Sequence, residues 1–172
     1  MQMVPHHRPG VRLSPTQAPR ALHLLDLENL AGGARFNAAD ATALRRRYEA
    51  AINIGREDLI VIATSHHAAP VAWFAWADVR RLVRSGVDGA DLALIEVLET
   101  ERVAQRFQTV IVGSGDGNFA EPSARLQAAG CRVTVVYQPG TLSRRLAFAV
   151  RDRIGLPADR AFSRAQLVGR AA

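Results

Sequence analysis

The sequence predicts an α/β domain, a parallel sheet of about five strands flanked by helices. From Ala21 onward, short apolar runs alternate with longer stretches of helical period, the signature of successive strand–helix units. At 172 residues, 48% hydrophobic and 22% charged, the chain is long enough for one well-buried core and too apolar to be wholly disordered. No apolar run approaches the ~20 residues that a bilayer span requires.

Residues 1–20 carry Pro5, Pro9, Pro15 and Pro19 with no hydrophobic period, and are expected to form a flexible tail. His6 and His7 in that tail lack the further ligands of a fixed metal site. The domain is expected over residues 21–152. Its strands are expected at 22–26, 59–64, 79–83, 109–112 and 133–137. The third of these reads equally well as a continuation of the helix before it. Helices are expected at 38–52, 69–76, 89–106, 119–129 and 142–150, with Gly130 as a stop behind the fourth. Residues 153–172 are rich in Arg and Ala and are expected to form a tail with one short helix.

The charge is +6, from 22 basic and 16 acidic residues, and every basic residue is Arg. With no Lys, a Schiff base, a Lys nucleophile and a P-loop Lys are all excluded. Forked guanidinium groups suit phosphate-rich partners, although a GC-rich coding sequence accounts for the same composition. The lone Cys131 has no internal disulfide partner and precedes an apolar run. A cytoplasmic, membrane-free setting is the expectation.

Position gives the acids their meaning. In a parallel sheet with right-handed crossovers, residues just past the C-terminal strand ends share one edge, where ligands bind. Asp26 ends the first strand, with Asn29 one turn later. Asp116 follows the fourth in Gly113-Ser114-Gly115-Asp116-Gly117-Asn118-Phe119. Asp88 and Asp91 open the helix that begins at Gly89. A helix-opening Asp is ordinarily a cap, and Asp88 fits that role well. Asp91, in the first turn of a strongly apolar helix, is harder to dismiss. Several carboxylates at one edge repel one another unless a cation sits between them. Oxygen donors without Cys or His favour Mg²⁺ or Mn²⁺, and phosphodiester hydrolysis is the matching chemistry.

The Asp26-Leu27-Glu28-Asn29 turn, the Gly86-Val87-Asp88 helix opening and the Ser114-Gly115-Asp116-Gly117-Asn118-Phe119 loop resemble those of NYN domains, in the PIN-like nuclease superfamily. The resemblance runs from about residue 21 to residue 150. It implies strand order 3-2-1-4-5 and a metal-dependent ribonuclease. Asp26 and Asp116 would correspond to metal-binding acids, Asn29 to the family's first-turn Asn, and Asp88 or Asp91 to its helix acid. Ser114 supports the loop. The chain departs from the family at Asn118, where a second acid is usual. This neutral amide keeps a carbonyl oxygen but removes a negative charge, which leaves a catalytically silent RNA-binding or scaffolding module as the alternative. Glu96, further along the same helix, is weighed as a compensating ligand.

Arg80, Arg81 and Arg84 before that helix, and Arg144 and Arg145 after Pro139-Gly140, are candidate grips for an RNA backbone. Arg45, Arg46 and Arg47 fit a solvated helix face. Trp73, Phe74 and Trp76 are expected in the core, with base stacking the less favoured role. His66 and His67 are read as strand-end loop residues. The glycine loop at 113–117 is a poor nucleotide cradle, since it follows the fourth strand and carries an acid. A receiver-type phosphotransfer domain would require a Lys at the acidic edge. Association with copies of itself is left open.

Overall fold

The computed structural model describes residues 20–33 and 35–158. The expected N-terminal tail, save Arg20, and the short helix expected in the C-terminal tail lie outside them. Six strands form one sheet: β1 (Ala21–Asp26), β2 (Leu59–Thr64), β3 (Arg80–Val83), β4 (Thr109–Gly113), β5 (Arg132–Tyr137) and β6 (Asp152–Gly155). Their order is β3-β2-β1-β4-β5-β6, and every pairing is parallel. The fold is therefore α/β with the expected 3-2-1-4-5 arrangement and one further strand. β6 falls largely on residues assigned above to the tail. Only four residues long and mostly exposed, it has no apolar run to betray it.

Parallel strands covered on both faces should be apolar throughout, and β1 is buried along its whole length. On one face Leu22, Leu24, Val61, Val110, Val112, Val133 and Val135 pack with Leu94 and Val97 of α4 (Gly89–Thr100) and Leu126 of α6 (Ala120–Ala128). On the other, Leu25, Ile62, Ile111 and Val136 meet three helices: α1 (Leu27–Ala31), α2 (Ala38–Ala51) and α3 (Ala69–Ala75). The chain leaves β1 to one side and β4 to the other, so the topological switch falls between these two strands.

The expected long helix at 89–106 divides into α4 and α5 (Val103–Arg106), because Arg102 takes a left-handed backbone, φ 51°. The expected 119–129 helix begins as a 3-10 turn, Gly117–Phe119, before α6. The last helix shortens to α7 (Arg144–Ala149), capped by Ser143. Residues 79–83 resolve as a strand, which pairs β3 to β2 from Arg80 onward. Helix α1 was not foreseen: it is a single turn started by Asp26.

Candidate functional site

Asp26 is the last residue of β1 and the N-cap of α1. Its Oδ1 accepts the N–H groups of Glu28 and Asn29, both at 3.1 Å. One carboxylate oxygen thus satisfies helix-start donors, as such caps do, and the other is left uncommitted to the backbone. Asp116 repeats the device after β4, its Oδ1 accepting Asn118 N–H at 2.7 Å as the 3-10 turn begins. Two acids beside the switch point are therefore held by the turns they start.

Asp91 comes from the opposite face, in the first turn of α4. It is 5% exposed, as is Asp26. The two carboxyl groups interact directly, and the Asn118 side chain, beside Asp91, favours the charged form of that carboxyl. Burial, then Asp91 itself, pushes the Asp26 carboxyl up to about 8. Burial and the charges of Asp116 and Asp88 raise Asp91 as well. Two buried carboxyls in contact cannot both ionise cheaply, so they share a proton. Asp91 Oδ1 nevertheless has no hydrogen-bond partner, a costly state for a buried polar atom.

The acids open into a cleft of about 390 Å³ lined by Asp26, Asn29, Ser65, Arg84, Asp88, Asp91, Asp116 and Thr141, among others. Asp88 is exposed, with φ 54° and no capping hydrogen bond, so its role as a simple cap is corrected. The Arg84 carbonyl instead presses on the helix start: a Cβ at Gly89 would lie 2.3 Å from that oxygen. Ser114 is fully buried, and its hydroxyl accepts Asp116 N–H at 3.1 Å.

The loops carrying these acids are tied together. Asn29 Oδ1 accepts Gly115 N–H at 2.8 Å, joining the β1 turn to the β4 loop. Glu28 Oε1 accepts Ser65 N–H at 2.9 Å and the Thr64 hydroxyl at 3.3 Å, joining the same turn to β2. The Gly115 carbonyl oxygen also accepts the Ser143 N–H at 2.8 Å, which brings in the loop before α7.

The donor set is oxygen-only, and a buried carboxylate oxygen is left unmatched at its centre, a chemistry that fits a hard divalent cation. Asp116 acts on Asp91 through its charge. Among the described residues, however, no three His, Cys, Asp or Glu side chains are drawn together as a ready-made ligand set.

The chain matches no family model and no curated protein. Among solved structures it is similar to VPA0982, a protein of unknown function from Vibrio parahaemolyticus RIMD 2210633. The TM-score is 0.58 at 17% identity, over 84% of this chain and 97% of that one. It is also matched to the Escherichia coli YcaC gene product, described as an octameric hydrolase of unknown specificity, with TM-score 0.43 and 16% identity over 87% and 80% of the two chains. The first likeness shows the doubly wound fold and assigns no chemistry. Among the described residues no helix is long and apolar enough to cross a membrane.

Other expected residues fall differently. Glu96 does not line the acidic cleft: it is exposed and pairs with Arg84 at 3.5 Å. Arg80 is held by Glu101 at 2.6 Å. Arg144 and Arg145 are exposed and do not line the cleft, and Arg145 lies beside Gly117 of the Asp116 loop. His66 bonds the Ser85 hydroxyl at 2.7 Å and stays outside the cleft lining. The expected solvated Arg face is also corrected. Arg45 chelates Asp78 and Glu49 above the Trp76 ring, and Arg47 bonds the Pro157 carbonyl and Gln138. Of the three expected core aromatics only Trp76 is buried; Trp73 is 39% and Phe74 81% exposed. Sequence reasoning gave no role to Glu28, Ser65 or Thr141, because each meets a residue distant in the chain: the Glu28 carboxylate holds the Ser65 N–H, and the Thr141 backbone packs on Gly115.

Proposed function

We propose that the protein is a metal-dependent ribonuclease whose site is the acidic cleft at the C-terminal sheet edge, as the similarity of its three motifs to NYN domains implies. The observation that carries this reading is the buried Asp26–Asp91 contact with an unpartnered Asp91 oxygen. Such an arrangement raises the free energy of the empty site and is relieved by positive charge.

Asp26, Asp91 and Asp116 would hold Mg²⁺ or Mn²⁺, with Asp88 and Asn118 at the margin. The ion would supply an activated water and neutralise charge on the phosphate. The chain's own residues prepare the rest. For an ion to be held there, Asp26 and Asp91 would give up their shared proton to solvent. Asn29 and Ser114 fix the Asp116 loop, and Glu28 fixes the β1 turn against β2. Arg84, on the cleft wall, offers a guanidinium to a phosphate oxygen not bound elsewhere, a contact for which its weak pairing with Glu96 leaves it free.

A second reading, a catalytically silent RNA-binding module, is favoured by one observation: Asn118 places a neutral amide on Asp91 where an acid would add charge. Cleavage of a labelled RNA with added Mn²⁺ tests both. Metal-stimulated cleavage lost in Asp26→Asn and Asp116→Asn supports the nuclease. RNA binding with steep salt dependence and no metal-stimulated cleavage favours the module.

A further inference from the structure

We infer that the β3 edge of the domain is a stacking platform for unpaired RNA, formed by Trp73 and Arg81, which leads the strand into the acidic cleft. The inference rests on the ribonucleolytic reading of that cleft and adds the class of substrate: an unpaired strand rather than a duplex.

Trp73 lies on α3 and is 39% exposed, although it is one of only two tryptophans in the chain and the other, Trp76, is fully buried. The Arg81 guanidinium sits 5.2 Å from the centre of a Trp73 ring. Arg81 differs from its neighbours. Arg80 and Arg84 each face a carboxylate, whereas Arg81 is paired with no acid among the described residues and is exposed. A guanidinium spread on an indole, with its charge uncompensated, presents a flat cationic surface. Such a surface suits a nucleobase face and its adjoining phosphate.

Topology ties this surface to the cleft. Ser65, after β2, and Arg84, after β3, both line it. Helix α3 descends from that rim, so Trp73 lies four residues, roughly 6 Å, below its first residue. Arg81 lies two residues before the end of β3, about 7 Å below the same rim. Arg81 shares the α3 face of β3 with Trp73, whereas Arg84 and Asp91 belong to the α4 face, so a strand passing from the platform to the cleft would cross the exposed β3 edge between them. A side-by-side duplex would not offer a free base face to the indole, whereas an unpaired strand does.

The test uses the full chain with chelator present, so that no cleavage intervenes. A 12-nucleotide single-stranded uridine-rich RNA and a duplex of equal length are titrated while tryptophan emission and anisotropy are followed. The single strand is expected to quench emission and the duplex to leave it nearly unchanged. Trp73→Leu should lose the quench and bind about tenfold more weakly, and Trp73→Phe, which keeps a ring, should retain most of the affinity. Arg81→Gln should weaken binding and lower the salt slope by about one. Equal binding by Trp73→Leu, equal quenching by duplex, or a Trp73-dependent self-association seen by light scattering would each overturn the platform. Hydrolysis of bis(p-nitrophenyl) phosphate with Mn²⁺, measured in parallel, reports the cleft alone. Its absence beside an intact quench defeats the nuclease reading and leaves the platform standing.

Discussion

Asn29 Oδ1 accepts the Gly115 N–H at 2.8 Å, so the turn that carries Asp26 and the loop that carries Asp116 are fastened to each other by one side chain. Gly115 is buried and packed so closely on Thr141 that a Cβ there would lie 2.5 Å from the Thr141 carbonyl oxygen. Its N–H has nowhere else to turn. Asn29→Ala should therefore lower stability by ~1 kcal/mol through the orphaned donor. It should reduce metal-stimulated RNA cleavage by about tenfold or more, as loss of an orienting contact does. A melting curve and a cleavage assay on the same sample check both, and a variant that melts earlier but cleaves normally would show that Asn29 does not position Asp116.

Asp26→Asn should separate function from stability. In the folded chain the Asp26 carboxyl is raised to about 8 by burial and by Asp91, against an ordinary value of 3.8. The folded state therefore binds the proton more tightly than the unfolded state. Its contribution to stability is greatest below the unfolded value and declines as pH rises through that window. The amide keeps the cap and removes the ionisation. The metal-free variant should melt higher than wild type, with a gain that grows toward pH 8, and should not cleave RNA. Urea unfolding in chelator at several pH values measures it.

The sheet was legible because its inner strands are short, mostly apolar runs such as 59–64 and 109–112, set between helical stretches, the pattern of parallel strands covered on both faces. The acids were legible because they sit at the ends of those runs. Asp88 and Asp91 could not be ranked from sequence, since both stand in a helix-opening stretch. The left-handed backbone at Asp88 and the pressure of the Arg84 carbonyl on Gly89 set the helix start, and this sends Asp91 inward. β6 was hidden by its short, exposed sequence, and Trp73 by its similarity to its buried neighbour Trp76. What escaped depends on contacts between distant loops rather than on local pattern.

Gly89→Ala should be more damaging than its size suggests. The added methyl would meet the Arg84 carbonyl oxygen at 2.3 Å, and that oxygen belongs to backbone which cannot swing aside as a side chain would. Relief requires moving either the start of α4, and Asp91 with it, or the end of β3. We expect a loss of ~1–3 kcal/mol together with weaker Mn²⁺ binding, read by calorimetry. Unchanged metal affinity in the folded variant would mean that the helix start does not set the position of Asp91.

At the other end of β1, His23 is fully buried between Tyr48 and Asp58, with Nδ1 at 2.6 Å from the Tyr48 hydroxyl and Nε2 at 3.2 Å from Asp58 Oδ2. Burial lowers its pKa despite the Asp58 carboxylate. Burial alone would raise Asp58, but the N–H groups of Ala21 and Gly55, with His23, hold it below the usual carboxylate range. Both shifts act in the same direction. The stability from neutral His23 is complete above its ordinary value of 6.5 and is lost as pH falls toward its lowered folded value. That from Asp58 is complete above 3.8 and is lost below it. The urea midpoint should therefore fall as pH drops below 6.5, and His23→Gln should flatten the upper part of that fall. A midpoint equally steep in the variant would assign the acid sensitivity elsewhere.

Asn118→Asp tests the one motif position where the chain lacks the expected charge. The Asn118 side chain lies close enough to Asp91 to favour its charged form, and its backbone N–H is held by Asp116 Oδ1, so a carboxylate there would face Asp91 without moving the turn. In the metal-free protein it would add like charge beside two carboxyls already reluctant to ionise, and should lower the melting temperature. With Mn²⁺ present the same charge becomes attractive, and affinity should rise about tenfold, as it does when a hard-cation site gains an anionic ligand. RNA cleavage should rise with it if charge is what limits the natural site. Calorimetric Mn²⁺ titration of both proteins decides the matter. A variant that is less stable and binds Mn²⁺ no more tightly would place Asn118 outside the ion's reach.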